Sequence, residues 1–166
     1  MDISKALAIL CTFILLSILN TNLYAQESGN SASEKKFNHE IGLRAGLVTG
    51  QGLSYGIWHK RMGLEVAVLP YSSTNRFNLT IGGAILSVLK EHEKVNLLGF
   101  IGSSYSLMQY SNNTSSNYLN AGLGFGLQVI IFEVISMQLL AGYGAFDMVN
   151  NFSSSITAEA GIYYRL

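Results

Sequence analysis

The 166-residue sequence contains little cysteine, proline and charge. Its one cysteine excludes an internal disulfide, and its ten basic and ten acidic residues exclude the basic surface that nucleic-acid binding needs. Beyond residue 25 no apolar run approaches the roughly 18 residues of a membrane helix. No spacing of Cys or His indicates a metal site, so we expect no cofactor. Hydrophobic residues, at 49%, and 17 glycines are the abundant features.

The first 25 residues have the layout of a secretory signal peptide. Lys5 precedes an apolar stretch over residues 6–19, and a short polar neck ends at Ala25, a small residue suited to cleavage. The apolar stretch is too short to span a bilayer comfortably, so cleavage is favoured over an uncleaved anchor. Cys11 leaves with this segment, and the mature chain then has no thiol chemistry.

The mature chain is predicted to consist of a short tail and one domain. Residues 26–37, QESGNSASEKKF, are small and polar, which predicts a flexible periplasmic tail. The remaining residues, 38–166, are enough for one domain.

Period-two patterns dominate this domain. Between Leu119 and Ile131 the odd positions are all apolar and the even positions are mostly polar or glycine. A strand points alternate side chains to opposite faces, so this pattern predicts a β-strand. Eight segments show it: 39–48, 52–60, 63–71, 77–90, 95–110, 117–132, 136–147 and 155–166.

The connections between these segments alternate in length. The short turns RM, EHEK and EVI alternate with the loops VTG, SSTNR, SNNTSSN and MVNNFSS, of which all but the first are longer and rich in Ser and Asn. Outer-membrane barrels have short periplasmic turns and longer outer loops. The sequence therefore predicts an all-β, eight-stranded, antiparallel, up-and-down transmembrane β-barrel with both ends in the periplasm.

The alternation also fits a secreted soluble barrel whose apolar face lines a ligand cavity. Three features favour an apolar exterior instead. Glycines and charged residues concentrate on the opposite face, and aromatic residues gather near strand ends, as they do at membrane interfaces. By parity, two of these aromatic residues, Trp58 and Phe132, are expected to point inward.

Charged residues on the inward face are expected to form a network. The lumen of an eight-stranded barrel is just wide enough for side chains to fill it, and an unpaired buried charge is costly. We therefore expect these groups to pair and to fill the lumen. The predicted network consists of Glu40, Arg44, Lys60, Glu65, Glu159 and Arg165.

The last strand carries a further pattern. Gly161, Tyr164 and Leu166 resemble the C-terminal β-signal that the barrel-assembly machinery recognises, although Ala160 stands where a polar residue is usual and Leu166 where phenylalanine is usual. Together with the eight alternating segments, this pattern makes the domain resemble the small barrels of the outer-membrane protein A and X families. The stretch GLRAGLVTGQGLSYGIWHKRMGLEVAV is similar to the first hairpins of Bacteroidetes-type barrels. The resemblance implies outer-membrane lipids and the assembly machinery as partners.

These features predict a small outer-membrane barrel with a filled lumen and a structural or interaction role, with the polar loops available to a surface partner. A narrow, porin-like channel is the main alternative and needs a water path past Arg44, Glu65 and Glu159. We expect no enzyme, such as a lipid-modifying one, because the histidines fall at the end opposite the serine-rich loops, beyond the reach of acid–base catalysis. The histidines are His39, His59 and His92.

Arginine placed on each face tests the predicted orientation. We expect Leu123→Arg, on the lipid face, to block assembly or lower stability sharply, since a basic side chain at the bilayer midplane costs roughly 2–4 kcal/mol. Gln128→Arg, on the opposite face, is expected to be better tolerated. The folded fraction of each variant is measured by heat-modifiability on a detergent gel. If both variants lose the same folded fraction, the face assignment is wrong.

Overall fold

The computed structural model of the protein describes residues 38–73, 76–110 and 114–166. The predicted signal peptide and tail lie outside these residues. The described part of the chain consists of eight antiparallel strands joined by turns and loops. No helix in the described ranges is long and apolar enough to cross a membrane. The strands are β1 (Asn38–Ala45), β2 (Gly52–His59), β3 (Met62–Ser73), β4 (Arg76–His92), β5 (Val95–Tyr110), β6 (Ser115–Ile131), β7 (Ile135–Phe146) and β8 (Ser153–Arg165).

The sheet closes on itself. Each strand pairs with the next along the chain, and β8 pairs with β1 in antiparallel register from Glu40↔Arg165 to Ala45↔Ala160. This is the up-and-down barrel that the sequence predicts. The start of β1 and the end of β8 lie side by side, so we refer to that end as the turn end and to the opposite one as the loop end.

Burial alternates along the strands as the period-two pattern requires. On β6, Leu123 is 61% exposed on the outer face, whereas Gln128 is 5% exposed on the inner face. The inner face also contains a cluster of apolar side chains. The cluster consists of Trp58, Ala84, Leu86, Val88, Leu98, Phe100 and Leu140.

Glycines on the inner face make room for aromatic rings. The ring of Trp58 lies where a Cβ atom of Gly63 would project, and the ring of Tyr163 lies over Gly161 in the same way. A side chain larger than hydrogen at either glycine would displace the ring beside it. The concentration of glycine on one face is thus a packing requirement of a narrow interior.

The observed strand bounds differ from the predicted ones by at most three residues, and the largest difference is at the end of β1. The sequence predicts a first strand that continues to residue 48, but β1 ends at Ala45. Residues 46–51 then leave the wall and enter the barrel, where Val48 and Thr49 are fully buried. Positive φ angles at Gly50 and Gly52, 95° and 107°, allow the chain to turn there.

The predicted inward orientation is correct for Trp58 and wrong for Phe132. Trp58 is buried, whereas Phe132 is 85% exposed in the turn between β6 and β7. Phe132 and Glu133 both have positive φ, 52° and 64°, which a tight hairpin turn demands. Strand parity does not extend into such a turn, and for this reason Phe132 points outward.

Candidate functional site in the barrel interior

The middle of the interior is occupied by a buried ion pair with two polar neighbours. Arg44 on β1 donates through Nη1 to Oε2 of Glu65 on β3, and both side chains are almost fully buried. Gln138 on β7 accepts from Nη2 of Arg44 at 3.1 Å and donates to Oε1 of Glu65 at 2.6 Å. The hydroxyl of Tyr163 on β8 donates to Glu65 Oε2 at 3.0 Å. Four strands thus supply one hydrogen-bonded group that compensates the burial of both charges.

A second polar group lies nearer the turn end. The Glu40 carboxylate accepts from Trp58 Nε1 at 3.0 Å and from the Ser136 hydroxyl at 3.4 Å. Arg165, whose side chain is 31% exposed, places its Nε 3.3 Å from Glu40 Oε1. The Glu40 group therefore connects the buried interior with the turn-end mouth.

The mouth itself contains a polar cavity of about 210 Å³. Its wall includes Glu40 and Arg165 together with Lys60, which is exposed in the turn between β2 and β3. Lys60 has a φ of 53° and thus lies beyond the last inward position of β2. The predicted network placed Lys60 with the other charges, but the structure places it at the rim of this cavity.

Glu159 on β8 binds a segment of backbone rather than a cationic side chain. Its Oε1 accepts from the backbone N–H of Val48 at 2.7 Å and from that of Thr49 at 3.3 Å. The Thr49 hydroxyl donates to Oε2 of the same carboxylate, and the Thr157 hydroxyl lies 3.4 Å from Oε1. The negative charge of Glu159 is therefore compensated by donors of the inward-folded segment.

That segment, residues 46–51, is referred to below as the plug. Besides Glu159, two side chains of the wall hold it: the Ser104 hydroxyl and the Asn120 amide donate to the Leu47 carbonyl oxygen at 2.5 and 3.0 Å. The sequence pattern does not predict the plug, because the apolar alternation continues through Leu47. The sequence nevertheless contains one signal of a break in the strand, namely three glycines near the ends of the segment, at positions 46, 50 and 52.

The structure therefore divides the six predicted network residues among several contacts. Arg44 pairs with Glu65, Glu40 pairs with Arg165, and Glu159 binds the plug. The neutral members of these groups, among them Gln138 and Tyr163, are absent from the predicted network. They lie on predicted inward positions, so strand parity would have found them if uncharged side chains had been considered.

Two of the predicted assembly residues, Gly161 and Tyr164, lie on opposite faces of β8, and Leu166 follows the end of the strand. Gly161 is buried beneath the ring of Tyr163, whereas Tyr164 and Leu166 are exposed on the outer surface. The backbone N–H of Leu166 donates to the His39 carbonyl oxygen at 2.8 Å, which extends the contact between the two ends of the sheet. Nothing in these contacts depends on the ring of Tyr164.

Comparison with known proteins yields similarity of fold only. No family model matches the chain, and no curated protein matches it. The N-terminal β-barrel domain of OprF from Pseudomonas aeruginosa aligns with a TM-score of 0.54 at 11% identity, over 78% of this chain and 96% of that one. Neisserial surface protein A aligns with a TM-score of 0.50 at 10% identity, over 78% and 94%. The chain has the fold of a small outer-membrane β-barrel.

Histidine and acidic residues do not assemble into a metal centre in the described ranges, where no group of three or more such ligands is close enough to hold an ion. His39 instead lies 2.8 Å from the Tyr55 hydroxyl through its Nδ1 atom, on the exposed surface near the turn end.

Removing one charge of the Arg44–Glu65 pair should destabilise the protein more than removing both charges. We expect Glu65→Gln, which leaves the Arg44 charge buried without a counter-charge, to lower the free energy of unfolding by about 3–5 kcal/mol. The double variant Arg44→Met/Glu65→Gln removes both charges and should lose less than Glu65→Gln alone. Urea unfolding in detergent micelles measures these differences.

A surface carboxylate provides the control for this comparison. Glu91 lies 3.6 Å from Arg61, and both side chains are more than half exposed, so Glu91→Gln should change the unfolding free energy little. The single variants Arg44→Met and Glu65→Gln each lower the unfolding free energy by some amount. If the double variant lost the sum of these two amounts, Arg44 and Glu65 would not be coupled.

Proposed function

We propose that this protein is a small outer-membrane β-barrel with a filled lumen and a structural or interaction role at the cell surface. One observation carries the proposal: the apolar face of a closed barrel is its exterior, and its charged groups bond to one another inside. A membrane is the environment in which this arrangement is stable.

The outer surface supports the location in lipid. Large apolar side chains are exposed around the wall, such as Ile101 on β5, Phe125 on β6 and Leu139 on β7. Soluble monomers rarely expose a contiguous apolar surface of more than a few hundred Å². A closed barrel also meets the demand of hydrocarbon that every backbone polar group be paired within the structure.

The bonding inside supports a filled lumen. The Arg44–Glu65 group crosses the middle of the barrel, and the plug occupies the interior on the loop side of it. The cavity at the turn-end mouth favours the second candidate function, a narrow channel, because it is polar and lined by charges of both signs. We prefer the filled barrel because Glu40 and Trp58, which line this cavity, are buried, and the hydrogen-bonded Arg44–Glu65 group lies across the middle of the interior.

The proposal includes export through a cleaved signal peptide, with the turn end in the periplasm and the loops outside. We also propose, on the resemblance described above, that the protein is grouped with the outer-membrane protein A and X type barrels of Bacteroidetes-type bacteria. Its partners are then outer-membrane lipids and, during biogenesis, the barrel-assembly machinery.

The loop between β7 and β8 supports an interaction role. Asp147 anchors it: the carboxylate accepts from the backbone N–H groups of Asn150 and Asn151 at 3.3 and 3.1 Å. The Asn150 amide donates to the Asn117 carbonyl oxygen at 2.7 Å. The anchored loop exposes the apolar side chains of Met148, Val149 and Phe152, a suitable surface for a partner. We propose that this surface binds a partner and that the protein is not an enzyme.

Cell fractionation combined with a detergent gel tests the proposal. We expect the protein in the outer-membrane fraction and a shift in its migration after boiling, because closed membrane barrels stay folded in cold detergent. A soluble protein without a shift would contradict the membrane location. Purified protein in planar bilayers is expected to be silent, and steady conductance would favour the channel instead.

The assembly residues can be separated from packing residues by comparing folding in cells with folding in detergent. We expect Tyr164→Ser to slow assembly in cells but to leave refolding from urea into micelles intact, because Tyr164 is exposed on the outer surface. Gly161→Val should impair both, since its side chain would meet the ring of Tyr163. The heat-modifiable fraction is measured in each setting. Normal assembly of Tyr164→Ser in cells would contradict the assignment of Tyr164 to an assembly signal.

A further inference from the structure

The central residues of the plug, 48–50, leave the wall and are buried inside the barrel. Val48 and Thr49 have no exposed surface, whereas Leu47 beside them is largely exposed. The pairing of β1 with β2 ends at Arg44↔Gly52, and the pairing of β1 with β8 ends at Ala45↔Ala160. The plug therefore takes no part in the sheet, and its removal from the interior would leave the hydrogen-bond ladder of the barrel intact.

Four glycines of the wall form a socket for the plug, one on each strand from β4 to β7. A Cβ atom at Gly82 would meet the backbone of Thr49 and Gly50, and one at Gly102 would meet the Thr49 side chain. Cβ atoms at the other two socket glycines would meet the Val48 side chain. These two glycines are Gly122 and Gly144. The interior is thus shaped to receive the plug.

A single carboxylate provides most of the polar attachment. Glu159 accepts three hydrogen bonds from Val48 and Thr49, while the wall contributes two more through the Leu47 carbonyl oxygen. Hydrogen bonds to an ionised acceptor are roughly twice as strong as neutral ones. The closed position therefore depends on Glu159 more than on any other side chain that contacts the plug.

We propose that the plug is a gate for the loop-end half of the lumen and that the Glu159 carboxylate is its latch. The glycines at 46, 50 and 52 give the segment the backbone freedom to move as a unit. When the plug leaves, the socket becomes a chamber open at the loop end, with Glu159, Ser104 and Asn120 in its wall. The inference deepens the proposed filled lumen by naming the part of the filling that moves.

Thiol labelling of the plug tests the gate. In a Cys11→Ser background, Val48→Cys places one thiol in the plug, and Ser153→Cys places one on the exposed start of β8. The mature protein, purified and folded in detergent micelles, is treated with a charged maleimide, and the rate is followed by mass spectrometry. We expect the Val48→Cys thiol to react much more slowly than the exposed one.

Two independent changes should then speed the labelling of Val48→Cys. Glu159→Gln removes the charge of the latch, and Gly82→Ala adds a methyl group where the plug backbone lies. We expect each to raise the rate about fivefold to tenfold, which corresponds to a loss of about 1–1.4 kcal/mol in the stability of the closed position. Thr49→Val, which removes one latch donor from the plug side, should act in the same direction.

Gly83→Ala is the matched control, because Gly83 is adjacent to Gly82 but a Cβ atom there meets only the Glu65 carbonyl oxygen and no part of the plug. It is expected to leave the labelling rate unchanged. The gate is overturned if Val48→Cys reacts as fast as Ser153→Cys from the outset. It is also overturned if the variants that keep their heat-induced gel shift label no faster than Val48→Cys alone. Because the gel shift reports the closed barrel separately, failure of the gate is distinguishable from failure of the proposed membrane barrel.

Discussion

Every backbone N–H and C=O group in the wall of this barrel needs a partner within the sheet, and the pairing of β1 with β8 provides the last of them. In hydrocarbon each unpaired group costs several kcal/mol, so an open edge is not tolerated. Closure decides which side chains face inward, since alternate positions of all eight strands then surround one narrow space. The apolar exterior and the polar interior are both consequences of that closure.

In the narrow interior every buried carboxylate needs a partner, and the three carboxylates have different ones. Glu65 is paired with Arg44, Glu40 with Arg165 and the Trp58 indole, and Glu159 with the backbone of the plug. Burying an ionised group without partners is costly, so these contacts fix the side chains that make them. The hydrogen bond from Gln138 on β7 to Glu65 on β3 joins opposite sides of the barrel, and this cross-bonding is a further reason for preferring a filled lumen to a channel.

The plug follows from the uneven height of the wall. The strands β1 and β2 have eight residues each, whereas the strands that pair with them, β8 and β3, have 13 and 12. The connection between the two short strands therefore begins below the rim of its taller neighbours, within reach of the interior. Glycine on the facing strands leaves space there, and Glu159 supplies an acceptor for the donors that enter it. A short, glycine-bracketed connection thus becomes an internal element.

The amino-acid sequence by itself determined the eight strands and their faces, because period-two alternation is a local property of each segment. It also determined the up-and-down order, because the connections alternate between short turns and longer loops. Leu123 and Gln128 lie on the faces that alternation assigned to them. Only the tertiary structure decided which inward groups meet: Arg44 on β1 pairs with Glu65 on β3, although Glu40 and Glu159 also lie on the inward face. The same holds for the plug: Val48 binds a carboxylate 111 residues along the chain, and that acceptor is within reach only once the barrel has closed.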